Sequence, residues 1–172
     1  MNEKILLLGS TGKMGTALTK VFENGYTVIG KSSKDFQGSD FSQVRGLVEK
    51  YSPGIVINTV ALLGIDPCEK EPEKAFLLNT LLPKLLAETS NKKNFLLIHF
   101  STDAVFNDDK HDFYTEEDTP CPLNMYGLTK FGGDCFIQAI ARNYYIFRIS
   151  VLFGEAHKNT QFVEKMLDKA VR

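Results

Sequence analysis

Short, mainly apolar runs alternate along this chain with longer stretches in which apolar residues recur every three or four positions. The runs are Ile5 to Leu8, Tyr26 to Ile29, Ile55 to Asn58, Phe95 to Phe100 and Tyr144 to Ile149, lengths that suit strands buried on both faces of a parallel sheet. Between them lie Lys13 to Glu23, Ser42 to Tyr51, Pro72 to Ser90 and Asn124 to Arg142, which carry the period of amphipathic helices. Pro83 interrupts the third of these. A proline belongs in a first turn or at a kink, so that connection is expected to form two helices. Regular β-α alternation implies right-handed crossovers and an α/β fold, a doubly wound parallel sheet whose ligands bind at the carboxyl ends of the strands.

Composition narrows the partners. With 172 residues, 43% hydrophobic and 24% charged, the chain suits one globular domain. A formal net charge of −1 provides no basic field to gather nucleic acid or an anionic membrane surface. Cys68, Cys121 and Cys135 are odd in number and far apart, which argues against a disulfide framework or a zinc site. No signal-peptide pattern or bilayer-length apolar run is present, so a reducing cytoplasm is the expected location. The acidic stretch Asn107 to Asp118 reads as a solvated loop that can shape a rim.

The chemistry begins at Gly9-Ser10-Thr11-Gly12-Lys13-Met14-Gly15, directly after the first strand and opening the first helix. A dinucleotide pyrophosphate needs a tight turn at Gly9, close backbone approach at Gly12 and helix-on-strand packing at Gly15, with Thr11, Lys13 and Met14 around it. No Gly-Lys-Ser/Thr stands in the register of a mononucleotide phosphate loop. After the second strand, Lys31, Ser32, Ser33 and Lys34 offer charge and hydroxyl donors, with no carboxylate among them to repel a 2′-phosphate. NADPH is therefore expected over NADH. Asp40 and Phe41 stand where an adenine is held, although Asp40-Phe41-Ser42 reads equally as a helix N-cap.

Tyr126 and Lys130 are four residues apart, on one helical face. An ammonium in that position is expected to lower the pKa of the phenol, from about 10, towards the range of a general acid. Any amphipathic helix can carry such a pair. Its weight comes from the glycine turn and from Ser101-Thr102-Asp103 at the end of the fourth strand, which face the same crevice. Asn124 can cap the helix that bears the pair. Thr102 can equally be a strand-end residue that caps backbone.

With those residues in place, the chain resembles the extended short-chain dehydrogenase/reductase superfamily, and within it the dTDP-4-dehydrorhamnose reductase family. The motifs that carry the resemblance are the glycine turn, Ile57-Asn58-Thr59-Val60-Ala61, Asp66 through Glu73 with Asn79, Ser101 to Phe106, Tyr114 to Asp118 and Pro122 to Lys130. The resemblance implies a Rossmann-like dinucleotide-binding domain over 1–153 and, over 154–172, the helical start of a substrate lobe that is largely absent. It implies reduction of a nucleotide-linked 4-keto-6-deoxysugar, with Tyr126 as proton donor, Lys130 on the nicotinamide ribose, Thr102 at the carbonyl oxygen, and Asn58, Ala61 and Asn79 along the cofactor channel. A homodimer is a further family expectation. Arg148 reads as structural. Where the family commonly has Ser-Thr-Asp-Tyr, this chain has Ala104, so an aromatic contact is missing. An epimerase or dehydratase of the same superfamily uses the same Tyr-Lys pair. A non-catalytic dinucleotide-binding regulatory subunit, of the kind that attaches to a methionine adenosyltransferase, would retain these motifs as a cofactor grip.

Overall fold

The computed structural model describes residues 3–152 together with 166, 169 and 170. Five parallel strands, β1 (Lys4–Leu8), β2 (Thr27–Lys31), β3 (Ile55–Asn58), β4 (Leu96–Thr102) and β5 (Tyr144–Ile149), form one sheet in the order β2-β1-β3-β4-β5. The chain steps outward from β1 to β2, then crosses back over β1 to β3. The carboxyl ends of β1 and β3 therefore flank the topological switch point where such sheets hold ligands.

The pleat sorts the core. Leu6 and Leu8 of β1 face one layer with Val44 and Val48, Leu82, Leu85 and Leu86, and Ile137. Ile5 and Leu7 face the other layer with Ile57, Leu18 and Phe22. Alternate residues of one continuous apolar run thus feed opposite sides, as burial on both faces requires. The helices that cover these faces are α1 (Lys13–Phe22), α2 (Phe41–Tyr51), α3 (Ile65–Lys70), α4 (Pro72–Phe76), α5 (Leu82–Lys93) and α6 (Met125–Ile140). The doubly wound α/β expectation is met.

Pro83 does divide its connection, by way of a π turn. Leu77–Leu81 is wound one residue wider than an α-helix, and Leu82 N donates to Leu77 O, five residues back. Pro83 then sits in the first turn of α5, where its missing N–H leaves the Asn79 carbonyl without an α-helical donor. Gly133 of α6 packs against that carbonyl so closely that a Cβ there would strike it. Helix α3 was not foreseen; its six residues, IDPCEK, are too few to show a period. The expected boundary at 153 and the segment 154–172 lie outside the described residues, apart from helical residues 166, 169 and 170.

Two glycine substitutions should have opposite signs. Gly133→Ala should destabilise the fold by about 1–3 kcal/mol, because backbone has to move. Gly46→Ala, in α2 with nothing within 4 Å of the added carbon, should stabilise it by about 1 kcal/mol. Urea unfolding of both variants checks this, and equal effects would contradict the packing described.

Candidate functional site

The turn after β1 is built by close approach. Gly9 has φ +87, and a Cβ on it would strike Thr59 in the loop after β3, so a side chain is barred twice. Gly15 lies against the Gly9 carbonyl and Ser10. The chain itself uses several of the turn's amides: Gly9 N and Ser10 N donate to Lys31 O at 2.8 and 3.0 Å, and Gly12 N donates to Gly9 O at 3.0 Å. The first helical bond of α1 runs from Thr16 N to Gly12 O. The amides of Lys13, Met14 and Gly15 precede that ladder, which makes the first turn of α1, with Thr11 and Gly12 exposed beside it, the anion-facing element. Lys13 Nζ reaches across the carboxyl edge to Leu152 O at 2.8 Å, an engagement its sequence context did not show.

The loop after β2 needs a correction. One residue past Lys34 stands Asp35, whose Oδ2 accepts from Ser32 N and Ser32 Oγ, both at 2.8 Å. Those bonds hold its carboxyl below the usual carboxylate range, with Lys31 adding a smaller pull. A carboxylate is therefore present. Ser32 is buried and committed to it, Lys31 lies 3.8 Å from it, and Ser33 and Lys34 are exposed. Asp40 is the N-cap of α2, with Oδ1 accepting from Ser42 N at 3.0 Å and Gln43 N at 3.2 Å. Phe41 packs on the core. Of the two readings of Asp40-Phe41-Ser42, the cap is the one the structure displays.

Ala61 lies in the loop after β3, and Asn79 is bonded to that loop. Asn79 is fully buried in the π turn; its Oδ1 accepts from Leu62 N at 2.9 Å, and its Nδ2 donates to Leu62 O and Thr129 Oγ1 at 3.0 and 3.1 Å. It clamps the loop after β3 to α6, with its amide engaged by protein partners. Ala61, one residue before Leu62, is half-buried.

Asn124 caps α6, accepting from Gly127 N at 2.8 Å, and Glu69 of α3 takes the Met125 amide at the same distance. This start places Tyr126 beside Thr102 at the end of β4. The Tyr126 phenol is pushed up from its ordinary range, by burial first, against the opposing effect of a hydrogen bond from Thr102; Cys68 and Asp103 push in the same direction as burial. The expected depression by Lys130 is not found: burial of the phenol outweighs the lowering effects on it, and the Lys130 amine is drawn to β4. It donates to Phe100 O at 2.6 Å and lies 3.2 Å from His99 Nε2. Burial brings the amine down to about 8, although Asp134, one turn along α6, pulls the other way.

Thr102 serves as a strand-end cap. Its Oγ1 accepts from Ala104 N at 3.2 Å, capping the 3₁₀ turn Asp103–Val105, and its hydroxyl hydrogen is shared between Asp103 Oδ1, at 3.1 Å, and Tyr126. Arg148 is structural as read: its Nε donates to Asp134 Oδ2 at 3.1 Å, its guanidinium lies over the Phe106 ring, and Ser101 Oγ meets the same carboxylate oxygen at 2.9 Å. His99 and Asp134 were missed. The signals were present, a lone imidazole inside the apolar run of β4 and a carboxylate four residues after Lys130. The acidic loop is tied internally, with Lys110 Nζ on Asp118 at 2.7 Å and Phe106 stacked on Tyr114, and it borders a cleft with Asp103, Ala104 and Arg148.

The sequence model of the RmlD substrate binding domain family matches residues 3–172. The chain belongs to this family. It is 34% identical to the dTDP-4-dehydrorhamnose reductase of Salmonella typhimurium, over 95% of this chain and 55% of that protein. It is equally identical to the spore coat polysaccharide biosynthesis protein SpsK of Bacillus subtilis, over 97% of this chain and 59% of that protein. A crystal structure of dTDP-4-dehydrorhamnose reductase from Bacillus anthracis in complex with NADP superposes with a TM-score of 0.91 at 30% identity, covering 98% of this chain and 59% of that one. The chain thus spans a little over half the length of these RmlD-family relatives. No helix among the described residues is long and apolar enough to cross a membrane.

Burial of Lys130 has a pH signature. Its folded pKa, about 8, lies below the unfolded value of about 10.4, so the unfolded state binds more protons between them and stability rises with pH there. Wild type should gain on Lys130→Met by about 1 kcal/mol per pH unit between about pH 8 and 10. Urea unfolding at three pH values measures the gap; a constant gap would show that Lys130 is charged in the fold.

Proposed function

We propose that this chain is the dinucleotide-binding part of an NADPH-dependent reductase acting on a nucleotide-linked 4-keto-6-deoxysugar of the dTDP-4-dehydrorhamnose type. The observation that carries the reading is the convergence of Tyr126 and Thr102 at the carboxyl end of β4, above a buried Lys130, in the sheet whose switch point holds the glycine turn. The turn fits a dinucleotide: Gly12 is exposed at the head of α1, the next three amides precede the helical ladder, and Gly9 tolerates no side chain. Gly9, Thr11, Gly12, Lys13, Met14 and Gly15 would hold the pyrophosphate, and Lys31, Ser33 and Lys34 a 2′-phosphate. NADPH, when bound, supplies hydride.

The chain's own groups handle the proton. A phenol pushed up by burial keeps its hydrogen at neutral pH, which suits an acid that delivers a proton to a carbonyl oxygen as that oxygen becomes an alkoxide. Thr102 can turn its hydroxyl hydrogen from Asp103 to the same oxygen, steadying the charge that develops. The neutral acid is the form a reduction consumes, so the protonation state agrees with the reductase direction. The nucleotide-sugar substrate, the assembly as a homodimer and a cytoplasmic location belong to this proposal as well; the homodimer rests on family likeness and the location on the three thiols.

Tyr126→Phe in the full-length protein should lower turnover by about 10²–10⁴-fold and leave cofactor affinity unchanged. Retained turnover would remove Tyr126 from the chemistry. Cofactor binding without any turnover in wild type would instead fit the regulatory-subunit reading. Fluorescence titration should give a lower dissociation constant for NADPH than for NADH. Asp35→Asn should widen that preference by about three- to tenfold, since one negative charge leaves the loop. Tighter NADH binding by wild type would overturn the cofactor assignment.

A further inference from the structure

A chain of polar groups runs under the site from α6 to the loop after β3, and its hydrogens can be counted. Val60 N donates to Asn58 Oδ1 at 3.1 Å. With its oxygen fixed there, Asn58 turns Nδ2 to His99 Nδ1, 3.1 Å away. An amide nitrogen offers only hydrogens, so Nδ1 accepts, and the single hydrogen of a neutral imidazole sits on Nε2. Full burial, the larger cause, holds the ring well below the usual histidine range, and a charge on Lys130 would push it the same way, so the ring is neutral in either state of the lysine. Nε2–H therefore points at Lys130 Nζ, 3.2 Å away. An ammonium has no lone pair for it. An uncharged amine accepts from Nε2–H and still donates to Phe100 O at 2.6 Å.

We propose that His99 is a positioning residue that ties the charge on Lys130 to the orientation of the Asn58 amide, and through it to the loop at Val60. Charging the chain adds one proton. The Nε2 hydrogen passes to Nζ, the incoming proton is taken up by Nδ1, and the ring remains neutral. Nδ1–H then needs an acceptor, so the Asn58 amide turns its oxygen to His99. Val60 N–H loses its partner and meets Nδ2, and the loop has to shift. That loop includes Thr59, whose Oγ1 donates to Leu8 O at 2.8 Å and on which Gly9 closes. The state of Lys130 is thereby transmitted to the glycine turn, two strands away.

Other charged groups bear on the chain from each side. Asp134 and Tyr126 share α6 with Lys130, Arg148 of β5 is bound to Asp134, and Asp103 after β4 and Cys68 of α3 act on Tyr126. None of them stands between His99 and Asn58 or accepts from Nδ1 in the bonds described. The proposal concerns the chain alone and stands apart from the reductase reading, because its test contains neither cofactor nor substrate.

The test is nitrogen-15 NMR of the His99 ring alongside carbon-13 observation of Lys130 Cε, from about pH 6 to 10. The variants His111→Gln and His157→Gln identify the other two rings. Above the Lys130 midpoint Nε2 should carry the ring hydrogen. Below it the hydrogen should be on Nδ1, with the Val60 amide signal moving at the same midpoint. A ring that keeps one tautomer while Lys130 titrates, or becomes an imidazolium, would overturn the proposal. Asn58→Asp presents only acceptors to Nδ1, so it should fix the Nδ1–H form throughout and raise the proton affinity of Lys130 by about tenfold or more. An unchanged or lowered affinity would count against the coupling. Should that variant not fold, the wild-type titration decides.

Discussion

The burial of the Lys130 amine on the Phe100 carbonyl governs the rest of the site. A charged ammonium taken out of water costs several kcal/mol unless it is paired, and β4 offers it a carbonyl and an imidazole in place of a carboxylate. Burial brings the amine down to about 8, and its long stem pins α6 over β4. Tyr126, one turn earlier on the same helix, lies beside Thr102. Asn124 and Glu69 at the start of α6 secure the same placement from the other end.

Much of the fold could be read before any coordinates. Every strand lay where a mainly apolar run did, because strands covered by helices on both faces favour apolar residues, and boundaries differed by two residues at most. The caps Asn124 and Asp40 were visible for a local reason, since an Asx side chain reaches amides only two or three residues ahead. Helix α3 and the π turn were not. Their stability comes from neighbours distant in sequence, such as Asn79 on Leu62 and Thr129, and no local pattern encodes such partners.

For the site, residue identity was legible and environment was not. Spacing alone brought Tyr126 and Lys130 to one helical face. Whether the cation comes close enough to lower the phenol against the effect of burial depends on where a flexible four-carbon stem ends, and that was set by His99 and Phe100 on another strand. Asp35 escaped notice because its contact with Ser32 folds the loop back by three residues. Asn79 was identified as relevant, but its clamp between Leu62 and Thr129 was not legible. A buried amide and a ligand-lining amide look the same in sequence.

The π turn and α6 meet through two complementary absences, the amide hydrogen that Pro83 lacks and the side chain that Gly133 lacks. The first leaves a carbonyl without its helical donor, and the second lets another helix lie against it. Each is a liability in isolation, and together they make a fitted joint. Evolutionary drift at the two positions should therefore be coupled: a lineage that loses the glycine can recover its packing only by moving the carbonyl it rested on.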